Sequence, residues 1–120
     1  MTYMLGEIKR WLGVSLLLGV AIGPAAAQAT VPLAPARERA LIHKVRQDCG
    51  TCHGRLLTGG LGPALTPEAL ADKPVESLAA TIYHGRPGTP MPPWKAMLNE
   101  AEADWIAQRL RSGFPQESRR

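Results

Sequence analysis

Apolar residues are laid along this chain in two ways, continuous near the start and periodic further on. From Leu12 to Ile22 the run LGVSLLLGVAI is unbroken by charge, whereas beyond residue 35 the spacing becomes helical. Leu41, Ile42 and Val45 share one face of a helix predicted over residues 36–49. Residues 54–65, GRLLTGGLGPAL, hold four glycines and a proline. That is too many breakers for a regular element, and the segment reads as a loop wrapping closely around something. Thr66-Pro67-Glu68 has the form of a cap and first turn of a short helix. After a break at Lys73-Pro74, VESLAATIYH carries Leu78 and Ile82 at helical spacing and stops at Gly85. RPGTPMPPW, residues 86–94, has four prolines in nine residues and is extended loop. Asn99 with Glu102 three residues on is a capping-box start, and residues 100–112 form the last predicted helix before Gly113. No repeat and no strand pattern is present, so the expected fold class is all-α with long loops.

The continuous run has a different meaning. It is eleven residues long, whereas a membrane-spanning helix needs roughly 20 apolar residues. It follows the basic pair Lys9 and Arg10 and precedes the small residues of PAAAQA, the order of a secretory signal. Ala25-x-Ala27 and Ala27-x-Ala29 both satisfy the small-x-small rule for cleavage. Residues 1–29 are therefore read as a signal peptide cleaved after Ala27 or Ala29. Residues 30–35 are a linker, 36–115 the one folded domain and 116–120 a polar tail. The expected destination is the periplasm, with no stable membrane anchor.

Charge narrows the partners. The 120-residue chain is formally +4, and removal of Glu7, Lys9 and Arg10 with the signal leaves 12 basic against 9 acidic side chains, or +3. The basic residues are scattered rather than striped, which excludes a nucleic-acid binder. A remaining domain of about ninety residues has little core by area scaling. Its aromatic bulk is only Tyr83, Trp94, Trp105 and Phe114, so something besides side chains must fill the interior.

The chemistry lies in Cys49-Gly50-Thr51-Cys52-His53. Two cysteines three residues apart sit about one helical turn from each other, so both sulfurs can reach two vinyl groups on one porphyrin edge. The adjoining His53 then offers an imidazole nitrogen to the iron. Three blander readings fail on context. A disulfide here closes a tiny loop and constrains the unfolded chain little. Zinc would need further ligands, and only His43 and His84 remain. A thioredoxin-like pair needs a βαβ pattern that is absent. One haem c, covalent through Cys49 and Cys52, is the expected cofactor, and its large apolar ring supplies the missing interior.

With CGTCH at 49–53, LGP at 61–63 and GTPMPPW at 88–94, the chain resembles the class I monohaem cytochromes c across essentially its whole exported part. From Ile82 to Trp94 it is most similar to the small periplasmic cytochromes that accompany dissimilatory nitrite reductase. The same stretch also resembles haem domains of cbb-type oxidase subunits. The resemblance implies the class I cytochrome c fold, Met91 as the iron's sixth ligand, and a Pro63 carbonyl that accepts a hydrogen bond from His53. Met97, His84 and His43 are the rival ligands. Met91 is favoured over them also by its setting, because Pro90, Pro92 and Pro93 fix the backbone on both sides of its thioether. The first and last helices of the family cross, which would bring Leu41 or Val45 toward Trp105 and Leu110.

With both axial positions filled by protein, the resemblance implies a monomeric electron carrier rather than an enzyme, donating to nitrite reductase in denitrification. The alternatives are an accessory protein in maturation of the reductase or its haem, a donor to a terminal oxidase, or a small peroxidase with an open iron. Arg55, Arg86 and Lys95 flank the expected haem-contacting loops and are the candidate partner-docking charges.

Overall fold

Five α-helices, and no strand among the described residues, enclose one large cavity in the computed structural model, which describes residues 32–116. The expected signal peptide, its cleavage sites at Ala27 and Ala29, and residues 117–120 of the tail lie outside the described residues.

Helix α1 runs from Pro35 to Lys44. Proline at the first helical position costs no hydrogen bond, and Ala34 O accepts from the Arg37 and Glu38 amides at 2.8 and 3.0 Å. Glu38 in the first turn and Lys44 in the last complement the helix dipole. The chain does not stop at Cys49, as the sequence suggested. It widens into a π-turn over Val45–Cys49, in which the Gly50 amide reaches Val45 O five residues back, and resumes as α2, Gly50–His53. The true stop is Gly54, whose φ of 81° suits glycine. A Cβ there would also lie 2.6 Å from Gly59 O.

The glycine-rich segment then folds back on α2. Gly59 and Gly62 donate to the His53 and Cys52 carbonyls at 2.9 and 2.8 Å, supplying the ends of that short helix with partners. Leu57, at φ 63°, is the one non-glycine in the left-handed region among the described residues, and it is buried in the core. Burial of its side chain, together with bonds from Leu57 N to Gly54 O and from Leu65 N to Leu57 O, offsets the roughly 1–2 kcal/mol that this backbone costs.

Helix α3, Pro67–Leu70, is capped by Thr66, whose hydroxyl accepts from Ala69 N at 3.3 Å. Helix α4, Val75–His84, ends at Gly85. Its last carbonyls are satisfied from the proline-rich loop, Trp94 N to Ile82 O and Lys95 N to Tyr83 O, at 3.2 and 3.1 Å. Helix α5, Glu100–Ser112, has the full capping box: Glu102 N donates to Asn99 Oδ1 and Asn99 N to Glu102 Oε2. It lines the core with Ala103, Ile106, Ala107 and Leu110, the i, i+3, i+4, i+7 stripe. Leu41, Val45, Leu57, Leu70, Ile82 and Leu98 complete the core. Leu41 and Val45 thus share a cluster with Leu110, while the Trp105 ring meets Phe114 edge-on at 6.3 Å and lies beneath Arg109.

Two polar devices lock α1 to the C-terminal part. Arg37 pairs with Glu102, and Arg109 with Glu38 at 3.5 Å. Arg46, buried in the π-turn, donates to Arg55 O, Phe114 O and Pro115 O at 3.0, 3.1 and 2.8 Å, tying the segment after Ser112 to the segment after His53. The Arg37 bond, joined by the Asn99 amide, holds the buried Glu102 carboxyl below its ordinary value of 4.5. A depressed carboxyl stabilises the fold above its unfolded value and loses that contribution as pH falls through the folded one. Urea midpoints of the haem-loaded protein should therefore drop below pH 4.5 more steeply in the wild type than in Glu102→Gln. At neutral pH the variant should be weaker by about 1–3 kcal/mol. Parallel pH profiles would exclude this role.

Candidate functional site

The cavity, of about 880 Å³, lies between the CxxCH helix, the glycine-rich loop, α4, α5 and the loop after α4. Its size falls within the roughly 300–1,000 Å³ of cofactor and ligand sites. Leu65, Leu70, Leu78, Ile82, Ile106 and Leu110 make most of its wall apolar. Cys49, Cys52, His53, Pro63 and Met91, the five residues singled out from sequence, all line it. The rivals Met97, His84 and His43 do not. Met97 is 52 % exposed on the outer surface, with Lys44 Nζ 3.6 Å from its sulfur. His84 stands at the end of α4 with its ring edge-on to Tyr83.

Cys49 is half-buried and Cys52 exposed, and the two are not bonded to each other. Burial pushes the Cys49 thiol up to about 11; the Asp48 carboxylate adds to this and Lys44 opposes it. This is the reverse of a redox-active pair, whose attacking thiol is acidified.

His53 is 9 % exposed, and its Nδ1 lies 2.7 Å from Pro63 O. A carbonyl has no proton to give, so Nδ1 carries the hydrogen and Nε2 keeps its lone pair for a metal. Such a bond also fixes the ring's orientation. The ring is gripped further by Gly62, where a Cβ would come within 2.8 Å of His53 Cε1 and 2.9 Å of Nδ1. Gly62→Ala must therefore displace the imidazole. We expect a loss of roughly 1–3 kcal/mol in the urea stability of the haem-loaded protein; an unchanged midpoint would show that the loop yields freely.

Met91 reaches the cavity from a loop with little freedom. Its carbonyl accepts from Arg86 N at 3.2 Å, its amide meets Thr89 Oγ1 at 3.4 Å, and Thr89 Oγ1 donates to Arg86 O at 2.7 Å. Gly85, at φ 69°, presses on the loop: a Cβ there would lie 2.7 Å from Pro92 C and 2.8 Å from Met91 O. Three proline rings and a glycine that admits no side chain thus restrict the backbone that carries the thioether.

The donor set and the wall fit a haem. Two thiols one turn apart, a histidine with one nitrogen free, a methionine thioether and a broad apolar surface match its vinyl groups, iron and ring. Among the described residues no group of three or more His, Cys, Asp or Glu side chains could hold another metal, so the zinc reading has no ligands to draw on. Of the docking candidates, Arg86 lines the cavity, whereas Arg55 and Lys95 are exposed outside it. Nothing in the sequence marks the 94 % exposure of Leu61 at the cavity wall or the burial of Arg46, whose carbonyl partners are distant in sequence.

Comparison with known proteins finds relatives among the cytochromes. Residues 35–108 match the family described as cytochrome c oxidase, cbb3-type, subunit III. The chain is 61% identical over 77 residues to cytochrome c55X of Pseudomonas aeruginosa, a match covering 64% of this chain and 65% of that protein. It is similar to a solved c-type cytochrome NirC, with a TM-score of 0.67, 56% identity, and coverage of 68% of this chain and 96% of that one. A third relative is the dihydro-heme d1 dehydrogenase of Pseudomonas aeruginosa, 39% identical over 72 residues, which are 60% of this chain but 15% of that enzyme.

Proposed function

This chain belongs to the cbb3-type subunit III family of c-type cytochromes, and on that premise we propose that it is a periplasmic one-electron carrier holding one haem c on Cys49 and Cys52. Its fold is that of class I cytochromes c, shared with the NirC structure. Haem bound in the cavity supplies an iron that takes up and releases one electron. In this reading His53 Nε2 and the Met91 thioether would hold the iron. Pro63 O, through Nδ1, would set the plane of the His53 ring. A soft thioether favours reduced iron and raises the potential above that of a bis-histidine pair, which suits a donor. The apolar wall excludes water and acts in the same direction. With both side chains on the iron no position would remain for substrate, so the reading is a carrier and not an enzyme.

One observation carries it: His53 and Met91, from segments far apart in sequence, line the same apolar cavity as the two thiols. As acceptor we propose dissimilatory nitrite reductase, in denitrification. The likeness to a dihydro-heme d1 dehydrogenase favours a second reading, service to the maturation of that reductase's haem; the family's own description points to a terminal oxidase as a third acceptor.

Stopped-flow mixing of the reduced protein with each purified acceptor separates the readings. Fast reoxidation by nitrite reductase, with no ready binding of carbon monoxide, is expected. Exchange with the dehydrogenase alone would move the chain to maturation, and rapid carbon monoxide binding would mean an open iron.

A further inference from the structure

Lys44 occupies a place that its position in the sequence does not explain. It ends α1, yet its side chain is only 22 % exposed, because the ammonium has three partners at once. Its Nζ lies 2.8 Å from Asp48 Oδ2, one turn ahead on the π-turn. It also sits 5.2 Å from the centroid of the Trp94 ring and 3.6 Å from Met97 Sδ. Asp48 directly precedes Cys49, whereas Trp94 closes the proline-rich loop three residues after Met91, and both line the cavity. One charge therefore spans the seam between the segment that carries the thiols and the segment that carries the thioether.

We propose that Lys44 is a positioning residue for the Met91 loop, a latch that pins Trp94 against the π-turn and so holds the loop closed over the cavity. A lysine drawn from water is favourable only while its new partners stay in place. Carboxylate and aromatic face together provide that, since a desolvated cation over an indole ring is among the stronger contacts of this kind. Behind Trp94 the loop continues through Met97 N and Leu98 N, both donating to Trp94 O, at 2.8 and 3.0 Å, into the buried Leu98. Loosening Trp94 therefore frees the stretch back toward Gly85, where the anchors are Trp94 N to Ile82 O and Lys95 N to Tyr83 O. The effect on iron ligation rests on the assignment of Met91 above; the latch itself does not.

The test is amide hydrogen exchange on the haem-loaded protein for wild type, Lys44→Met and Lys44→Arg. Methionine keeps the apolar stem without charge, whereas arginine can still pair with Asp48 and stack on Trp94. In Lys44→Met the Trp94 and Lys95 amides should exchange about tenfold faster, equivalent to about 1.4 kcal/mol of opening. Ile106 and Ala107 in α5 should be unchanged, and Lys44→Arg should restore protection. The iron–sulfur charge-transfer band of Lys44→Met should also fade at a lower temperature than its helical circular dichroism. Trp94 and Lys95 exchange that stays at the wild-type rate, or that rises in step with Ile106, would overturn the latch. Absence of that band from the wild type would instead overturn Met91 ligation, and the exchange data would still judge the latch.

Discussion

Replacing Cys49 and Cys52 together by serine is expected to leave a largely unfolded apoprotein. The reason is the proportion of cavity to core. Among the described residues ten apolar side chains are buried, and five of them, Val45, Leu70, Ile82, Ile106 and Leu110, border a cavity of about 880 Å³. Each large apolar side chain of the wall left facing water forgoes up to roughly 1.5–3 kcal/mol of burial. Four of them approach the total stability of a typical domain, about 5–15 kcal/mol, so the chain without its covalently held filler is expected to unfold. Ile82, Ile106, Leu70 and Leu110 would lose the surface they face, and Arg46 would lose a fixed π-turn from which to hold Phe114 and Pro115. Far-UV circular dichroism and urea titration of the double variant check this. A wild-type helical spectrum with a cooperative transition would show that side chains alone support the fold.

The second large effect is expected at Met91. In Met91→Ala the oxidised protein should lose its iron–sulfur charge-transfer band, its midpoint potential should fall, and the reduced form should bind carbon monoxide readily, because an axial position has been opened. Met97→Ala should retain the band, since Met97 lies on the outer surface beside Lys44 and not on the cavity wall. The same argument separates His43 and His84, neither of which lines the cavity. Survival of the band in Met91→Ala would transfer the ligand role elsewhere.

Much of this arrangement is legible in the sequence because its signals are local. The Asn99–Glu102 box, Thr66 as a cap, the stop at Gly85 and the stiffness of the loop around Met91 each depend on residues within one turn of each other. What sequence spacing misses depends on partners far away. Gly50 reads as a helix stop, yet it is held at φ −60° inside a helix by the Val45 carbonyl, and the stop falls at Gly54. The π-turn leaves no compositional trace. Leu57 adopts a left-handed backbone only because the core accepts its side chain. Arg46 and Lys44 look like ordinary surface charges of a first helix, but the carbonyls of Phe114 and Pro115 and the ring of Trp94 draw them inward. The candidate residues on the cavity wall are proposed from short-range patterns, a CxxCH spacing and a proline-framed methionine, whereas Pro63 comes only from the resemblance.

The most direct test of the account is the intact mass of the protein purified from the periplasm, measured alongside its circular dichroism. The expected result is a chain beginning at Gln28 or Thr30 with the mass of one haem added and retained under denaturing conditions. A folded protein with the mass of the bare chain would contradict it.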